Sequence, residues 1–271
     1  MSAAPSALAA PSPLAERMRA QFDLTGTVAV VTGAGRGLGR AMAEGLAGFG
    51  AEVVLCGRTG ATLEAAAEAM AAEGARVWWK TADVSREEDV TALLDAVLER
   101  HGRVDTLVNN AGINPIYKAA ERTDRDDWQA IIDINLSGVY LCCRHFGAAM
   151  LERRRGSIIN ITSVAGHVGL RKTMPYGAAK GGVEMMSKSL AIDWAPAGVR
   201  VNCIAPGYFE SDLTAAMIEN AALSRRLLGQ TPMGRFGRGE DLVGAVVYLA
   251  SPAASYVTGQ SIVIDGGWTA Q

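Results

Sequence analysis

The chain has 271 residues, 49% of them hydrophobic and 20% charged, a composition that fits one globular domain and excludes a disordered or low-complexity polymer. Its 26 Lys+Arg against 28 Asp+Glu leave a formal charge of -2, so the positive field that holds a polyanion is missing and no nucleic-acid partner is expected. Cys56, Cys142, Cys143 and Cys203 form no C-x-x-C pair and His101, His145 and His167 are scattered, which gives no metal-site signature and fits a reducing, cytoplasmic setting.

Residues 1–22 begin MSAAPSALAAPSPLAERMRA, without the basic start and apolar run of a secretory signal, and are expected to be a flexible extension. No later stretch is apolar enough to cross a bilayer, so no membrane partner is expected. From residue 23 to 271 short β-branched runs alternate with longer Ala- and Leu-rich segments. The predicted strands are Thr27–Val31, Glu52–Leu55, Arg76–Lys80, Thr106–Asn109, Gly156–Ile161, Arg200–Ile204 and Ser261–Ile264. The predicted helices are Gly37–Phe49, Thr62–Glu73, Arg86–His101, Arg125–Leu151, Met174–Ala195, Ser211–Glu219 and Gly239–Leu249. This alternation predicts an α/β fold: a single doubly wound domain with a seven-stranded, mainly parallel sheet flanked by helices, carrying a substrate-loop segment near 207–238.

The first strand runs into TGAGRGLG and then a helix, so Gly33, Gly37 and Gly39, with Arg36 and Leu38 between them, form a turn that a pyrophosphate can approach at a helix N-terminus. No Gly-Lys-Ser/Thr follows, which removes the P-loop alternative. The second strand ends VVLCGRTG, with Gly57 where a carboxylate would select NAD and Arg58 next to it. Arg58 and Arg36 suit a 2'-phosphate, so NADP(H) is the expected cofactor and NAD(H) the lesser alternative.

Four polar residues stand out in apolar surroundings: Asn135, Ser163, Tyr176 and Lys180. Tyr176 and Lys180 are spaced i, i+4 and share one helix face. A nearby ammonium is expected to lower the phenol pKa from about 10, Ser163 to polarise a substrate oxygen, and Asn135 to hold a water or backbone carbonyl that links Lys180 to solvent.

With TGAGRGLG, Asp83–Val84 in TADVS, NNAG at Asn109–Gly112, INLSG around Asn135, Ser163, YGAAK at Tyr176–Lys180 and PGYFES at Pro206–Ser211, the chain resembles the classical short-chain dehydrogenases/reductases from about Leu24 to Gly267. The resemblance implies a Rossmann fold and an enzyme in which Asn135, Ser163, Tyr176 and Lys180 are the catalytic tetrad. It places Asp83 and Val84 beside the adenine and Asn110, Ala111 and Gly112 along the cofactor, with Pro206, Gly207, Phe209 and Ser211 at the nicotinamide end. Ser211 stands where the family's PGxxxT form has threonine. It also implies a homotetramer built through the two long central helices and the C-terminal strand region.

The expected reaction is hydride transfer between NADP(H) and a small-molecule ketone/secondary alcohol pair, with Tyr176 as general acid-base. The branch it resembles keeps open a 3-oxoacyl thioester reductase and a gluconate 5-dehydrogenase-like sugar or polyol dehydrogenase. A non-catalytic dinucleotide-binding regulatory protein would need the glycine turn but not the four polar residues together. Asn114, His167, Val168, Gly169 and Met174, with the 209–229 segment, are the expected pocket wall, and that mixture favours a moderately apolar ketone; Arg225 and Arg226 are read as surface charges.

Overall fold

The structure is a computed structural model and describes residues 12–271. Seven strands, β1 (Val28–Thr32), β2 (Glu52–Gly57), β3 (Val77–Thr81), β4 (Thr106–Asn109), β5 (Gly156–Ile161), β6 (Val199–Pro206) and β7 (Ser261–Ile264), form one sheet in the order β3-β2-β1-β4-β5-β6-β7. Every pairing is parallel. Both sheet faces are covered, so the central strands β1 and β2 read as nearly continuous apolar runs whose alternate residues enter different cores.

Ala29, Val31, Val53 and Leu55 face the first core with α2 (Gly37–Gly48), α3 (Gly60–Ala72) and α10 (Glu240–Ala250). Val28, Val30, Val54 and Cys56 face the second with α4 (Glu87–His101), α6 (Gly138–Glu152) and α7 (Met174–Trp194). The strand order reverses between β1 and β4, which opens a crevice beyond their carboxyl ends.

Three local departures from the sequence reading have physical causes or consequences. Within the N-terminal extension, Pro13–Ala20 form helix α1, capped by Ser12, whose hydroxyl accepts from the Ala15 N–H at 3.3 Å; residues 1–11 lie outside the described residues. The helix expected over 125–151 is α5 (Arg125–Ile132) joined to α6 through a π turn at Asp133–Ser137. The Asn135 amide donates to the Ile131 carbonyl at 3.0 Å, occupying an acceptor of the regular ladder and widening the turn. Finally, the helix expected over 211–219 starts late. Thr214 Oγ1 binds the Ser211 N–H and donates to the Phe209 carbonyl, holding 211–214 as a turn before α8 (Ala215–Glu219) and α9 (Ala221–Gly229).

Candidate active site

The glycine turn joins β1 to α2 at the crevice. Gly33 and Gly37 have φ of +66° and +56°, and a Cβ on Gly39 would lie 2.2 Å from the Gly33 carbonyl oxygen. Side chains are therefore excluded from the turn by conformation at two positions and by contact at the third. The first turn of α2 has no side-chain cap and no acidic residue, which leaves its N–H groups for an anion. Thr32 and Asn110 brace the cradle from behind. Thr32 Oγ1 accepts the Asn110 and Ala111 N–H groups at 3.0 Å each, and Asn110 Nδ2 donates to the Thr32 carbonyl at 2.9 Å. Thr32, a residue the sequence reading did not single out, thus ties the end of β4 to the start of the turn.

At the far end of β2, Gly57 carries no carboxylate and Arg58 is exposed beside Asp83. Burial acts to raise the Asp83 carboxyl, but hydrogen bonds from Ser85 and the charges of Arg58 and Arg86 hold it below the usual range. Val84 is buried against Gly138, where an added Cβ would lie 2.9 Å from its Cγ2. Arg36 is paired with Asp212 at 2.8 Å, with both side chains largely exposed. Such pairs contribute about 0–1 kcal/mol, so Asp212 is a weak competitor for a guanidinium that a phosphate would also attract.

The four polar residues converge at the carboxyl ends of β4 and β5. Asn135 is fully buried; Nδ2 donates to the Ile113 carbonyl at 2.9 Å and Oδ1 accepts the Ile113 N–H at 3.2 Å. Asn135 thus holds the Ile113 backbone, while Lys180 donates to a different carbonyl, and the same amide shapes the π turn. A Cβ on Gly112 would lie 2.7 Å from Asn135 Oδ1 and 3.7 Å from Lys180 Nζ, so only glycine leaves room where the two meet. Lys180 is 4% exposed, donates to the Ile161 carbonyl at 2.8 Å, and places Nζ 5.6 Å from the Tyr176 ring centroid. The short turn after Ser163 packs on α7, because a Cβ on Gly177 would lie 3.2 Å from the Ala165 carbonyl, and this sets the Ser163 hydroxyl beside Tyr176.

The electrostatics run opposite to the expectation for the tyrosine. Burial pushes the Tyr176 phenol up to about 12, against the effect of the Ser163 hydroxyl. Burial also pushes the Lys180 ammonium down to about 8, against the pull of Cys203 and Glu184. Desolvation disfavours phenolate and ammonium alike, so each group is moved toward its neutral form.

Of the expected pocket residues, Val168 and Met174 are 37% and 41% exposed and a Cβ on Gly169 would meet nothing within 4 Å. Asn114 is half-buried, and its Oδ1 is buried without a partner. His167 is turned onto Glu184 at 3.1 Å and Ser261 at 3.3 Å. Both contacts use Nε2, so this Ser-His-Glu group lacks the two-nitrogen relay of a nucleophilic triad. Pro206 ends β6 and Gly207 follows it, where a Cβ would lie 2.7 Å from Asp265 Cβ. Phe209 is buried against Gly237, and the Ser211 hydroxyl lies 3.1 Å from that of Thr214. Tyr208 stacks edge-on to Trp268 with ring centroids 5.5 Å apart, and Arg226 is near enough to act on its phenol; neither aromatic stood out in the sequence.

Comparison with known proteins places this chain among dehydrogenases and reductases. A family model described as Enoyl-(Acyl carrier protein) reductase matches residues 33–269. The chain is similar to the gluconate 5-dehydrogenase of Gluconobacter oxydans (strain 621H), 39% identical over 248 residues, covering 92% of this chain and 96% of that protein. It is 41% identical over 254 residues to a galactitol 2-dehydrogenase (L-tagatose-forming) of Cereibacter sphaeroides, covering 93% and 98%. Among solved structures, a gluconate 5-dehydrogenase from Burkholderia cenocepacia J2315 in complex with NADP and tartrate superposes with a TM-score of 0.90 at 38% identity, covering 94% of this chain and 99% of that one.

Proposed function

The chain belongs to the classical short-chain dehydrogenase/reductase family, and on that premise we propose that Asn135, Ser163, Tyr176 and Lys180 are its catalytic centre and that its substrate is a small, moderately apolar ketone. It is an NADP(H)-dependent oxidoreductase of ketone/secondary-alcohol pairs. The observation that carries the catalytic assignment is the meeting of Asn135 and Lys180 at Gly112, one helical turn from Tyr176.

The residues fit the cofactor. Gly33, Gly37, Leu38 and Gly39 with the free N–H groups of α2 suit its pyrophosphate, and Arg58 with Arg36 its 2'-phosphate. Asp83 and Val84 would flank the adenine; Asn110, Ala111 and Gly112 the middle; and Pro206, Gly207, Phe209 and Ser211 the nicotinamide end. When bound, NADPH supplies the hydride. Tyr176, protonated throughout the neutral range, donates its proton to the carbonyl oxygen, and Ser163 holds that oxygen by a hydrogen bond. Lys180 holds the ribose and steadies the phenolate that the transfer leaves, while Asn135 fixes the backbone at Ile113 on the other side.

Arg58→Asp is expected to weaken NADPH binding by about 10- to 100-fold, because a charge-assisted contact of about 1.5–3 kcal/mol is lost and a repulsion replaces it. NADH should be affected far less. Fluorescence titration of both cofactors reads the ratio, and an unchanged preference would move the selectivity to Arg36.

Val168, Met174 and Leu213, all well exposed, support an apolar substrate body. The buried, unpartnered Asn114 Oδ1 favours a second reading, a hydroxylated ketone whose O–H it would accept, in line with the polyol and sugar-acid names of the relatives. Comparing kcat/KM with NADPH across simple ketones, 3-oxoacyl thioesters and keto-sugar acids separates them. Selectivity for a keto-sugar acid over every apolar ketone would reverse the order.

We also infer a cytoplasmic homotetramer. The four cysteines are free and buried, and no helix among the described residues is long and apolar enough to cross a membrane. Tyr140 on α6, Met185 and Ile192 on α7 and Val263 on β7 expose apolar surface that sister subunits would cover. Light scattering giving a monomer would refute the assembly.

A further inference from the structure

Among the described residues three charged side chains are buried: Asp105, Lys180 and Glu184. Asp105 is answered by Arg103 at 2.6 Å. The other two lie one turn apart on α7 with opposite signs, yet they form no direct ion pair. Lys180 donates one hydrogen bond, to the Ile161 carbonyl. Glu184 gathers three donors, two from the connection between β5 and α7 and one from β7, all on Oε1: the Thr162 hydroxyl, His167 Nε2 at 3.1 Å, and the Ser261 hydroxyl at 2.9 Å. A buried carboxylate needs donors in place of water, and Glu184, 7% exposed, has three of them on one oxygen.

The placement ties this carboxylate to the chemistry. Thr162 lies between Ile161, which accepts from Lys180, and Ser163, which stands beside Tyr176. Glu184 therefore bolts the catalytic face of α7 to the end of β5.

We propose that Glu184 is a positioning residue that acts through Lys180: its buried negative charge keeps the ammonium protonated, and its hydrogen bonds hold α7 in register with Ile161–Ser163. The titratable groups that face the pair are Tyr176 on α7, Cys203 on β6 and His167 after β5. Burial pushes the Tyr176 phenol and the Cys203 thiol each up to about 12, so both are neutral in the working range. His167, its side chain 32% exposed, adds positive charge only when protonated. Glu184 is then the anion that offsets the burial of Lys180, whose ammonium stands at about 8, close enough to physiological pH for the offset to matter.

The proposal rests on Tyr176 and Lys180 being the catalytic pair, and two readouts keep its failure separate from theirs. The first is the pH profile of kcat/KM for ketone reduction at saturating NADPH. Glu184→Gln keeps the acceptor oxygen and removes the charge, so the alkaline limb is expected about one pH unit lower. Glu184→Asp keeps the charge and should restore most of the difference. His167→Lys, a change at a partly exposed position, sets a permanent cation against Glu184 and should move the limb the same way by less. It reads the effect even if the glutamine variant does not fold.

The second readout is NMR titration of the Lys180 amine in cofactor-free enzyme isotope-labelled at lysine Cε, assigned with Lys180→Met. Its midpoint should fall in Glu184→Gln in step with the limb. Unchanged midpoints in both Glu184→Gln and His167→Lys would overturn the proposal, as would equal shifts in the glutamine and aspartate variants, which would make Glu184 a packing residue only. If wild-type enzyme shows no turnover, the catalytic reading fails while the amine titration still decides the role of Glu184.

Discussion

Tyr176→Phe is expected to lower kcat for ketone reduction by about three orders of magnitude while leaving NADPH affinity little changed. General acid-base groups contribute roughly 10²- to 10⁴-fold, and Tyr176 is the proton donor beside the Ser163 hydroxyl. The ring is kept, so its contact with Lys180 Nζ at 5.6 Å and its packing on α7 survive. A phenol held at about 12 by burial is a good resting acid for reduction, because it stays protonated at neutral pH. It is a poor resting base for alcohol oxidation. The oxidative rate should accordingly rise with pH well past neutrality, while the reductive rate falls once Lys180 loses its proton near 8. Steady-state rates in both directions, with both substrates saturating, check this. Turnover of Tyr176→Phe comparable to wild type would assign the proton to another group.

Gly39→Ala is expected to weaken NADPH binding by about 100-fold or more. The new methyl would stand 2.2 Å from the Gly33 carbonyl oxygen and 2.5 Å from Asn110 Nδ2, and one of these contacts is backbone. The turn must open to admit it, which displaces the N–H groups at the start of α2. Losing two charge-assisted hydrogen bonds of about 1.5–3 kcal/mol each accounts for the loss. Overpacking adds about 1–3 kcal/mol of destabilisation, so thermal unfolding should also move. Gly48→Ala is the control: it lies at the other end of the same helix with nothing within 4 Å of the added carbon. Isothermal titration of both variants decides, and full NADPH affinity in Gly39→Ala would remove the cradle from the binding site.

Much of the fold is legible in the residues because each signal is local. A parallel strand buried on both faces is largely apolar: VAVV and VVLC are unbroken, and GSIINI is broken only by Ser157 and Asn160. The glycine turn is legible for the same reason, since conformation and clearance are properties of the turn itself. What the sequence hides depends on distant partners. The periodicity from 125 to 151 is continuously helical, yet Asn135 breaks it with a π turn while holding Ile113, 22 positions away. The spacing of Tyr176 and Lys180 shows their attraction but not their burial, so the direction of the tyrosine shift comes out reversed. Arg36 is visible as a cation, whereas its pairing with Asp212 across the crevice is not. Glu184 looks like an ordinary polar residue on a long helix until Thr162 and His167 from the β5–α7 connection and Ser261 from β7 close around it.

The most direct test of the central claim follows the hydride. Wild-type enzyme and Tyr176→Phe are mixed with NADPH deuterated at nicotinamide C4 on the transferred face and with the best ketone of the screen, and the alcohol is analysed for deuterium. The expected result is a stoichiometrically labelled alcohol from wild type and almost none from Tyr176→Phe over the same time, with both proteins binding NADPH. Unlabelled alcohol from wild type, or equal labelling by the two proteins, would contradict hydride transfer at a centre built on Tyr176 and Lys180.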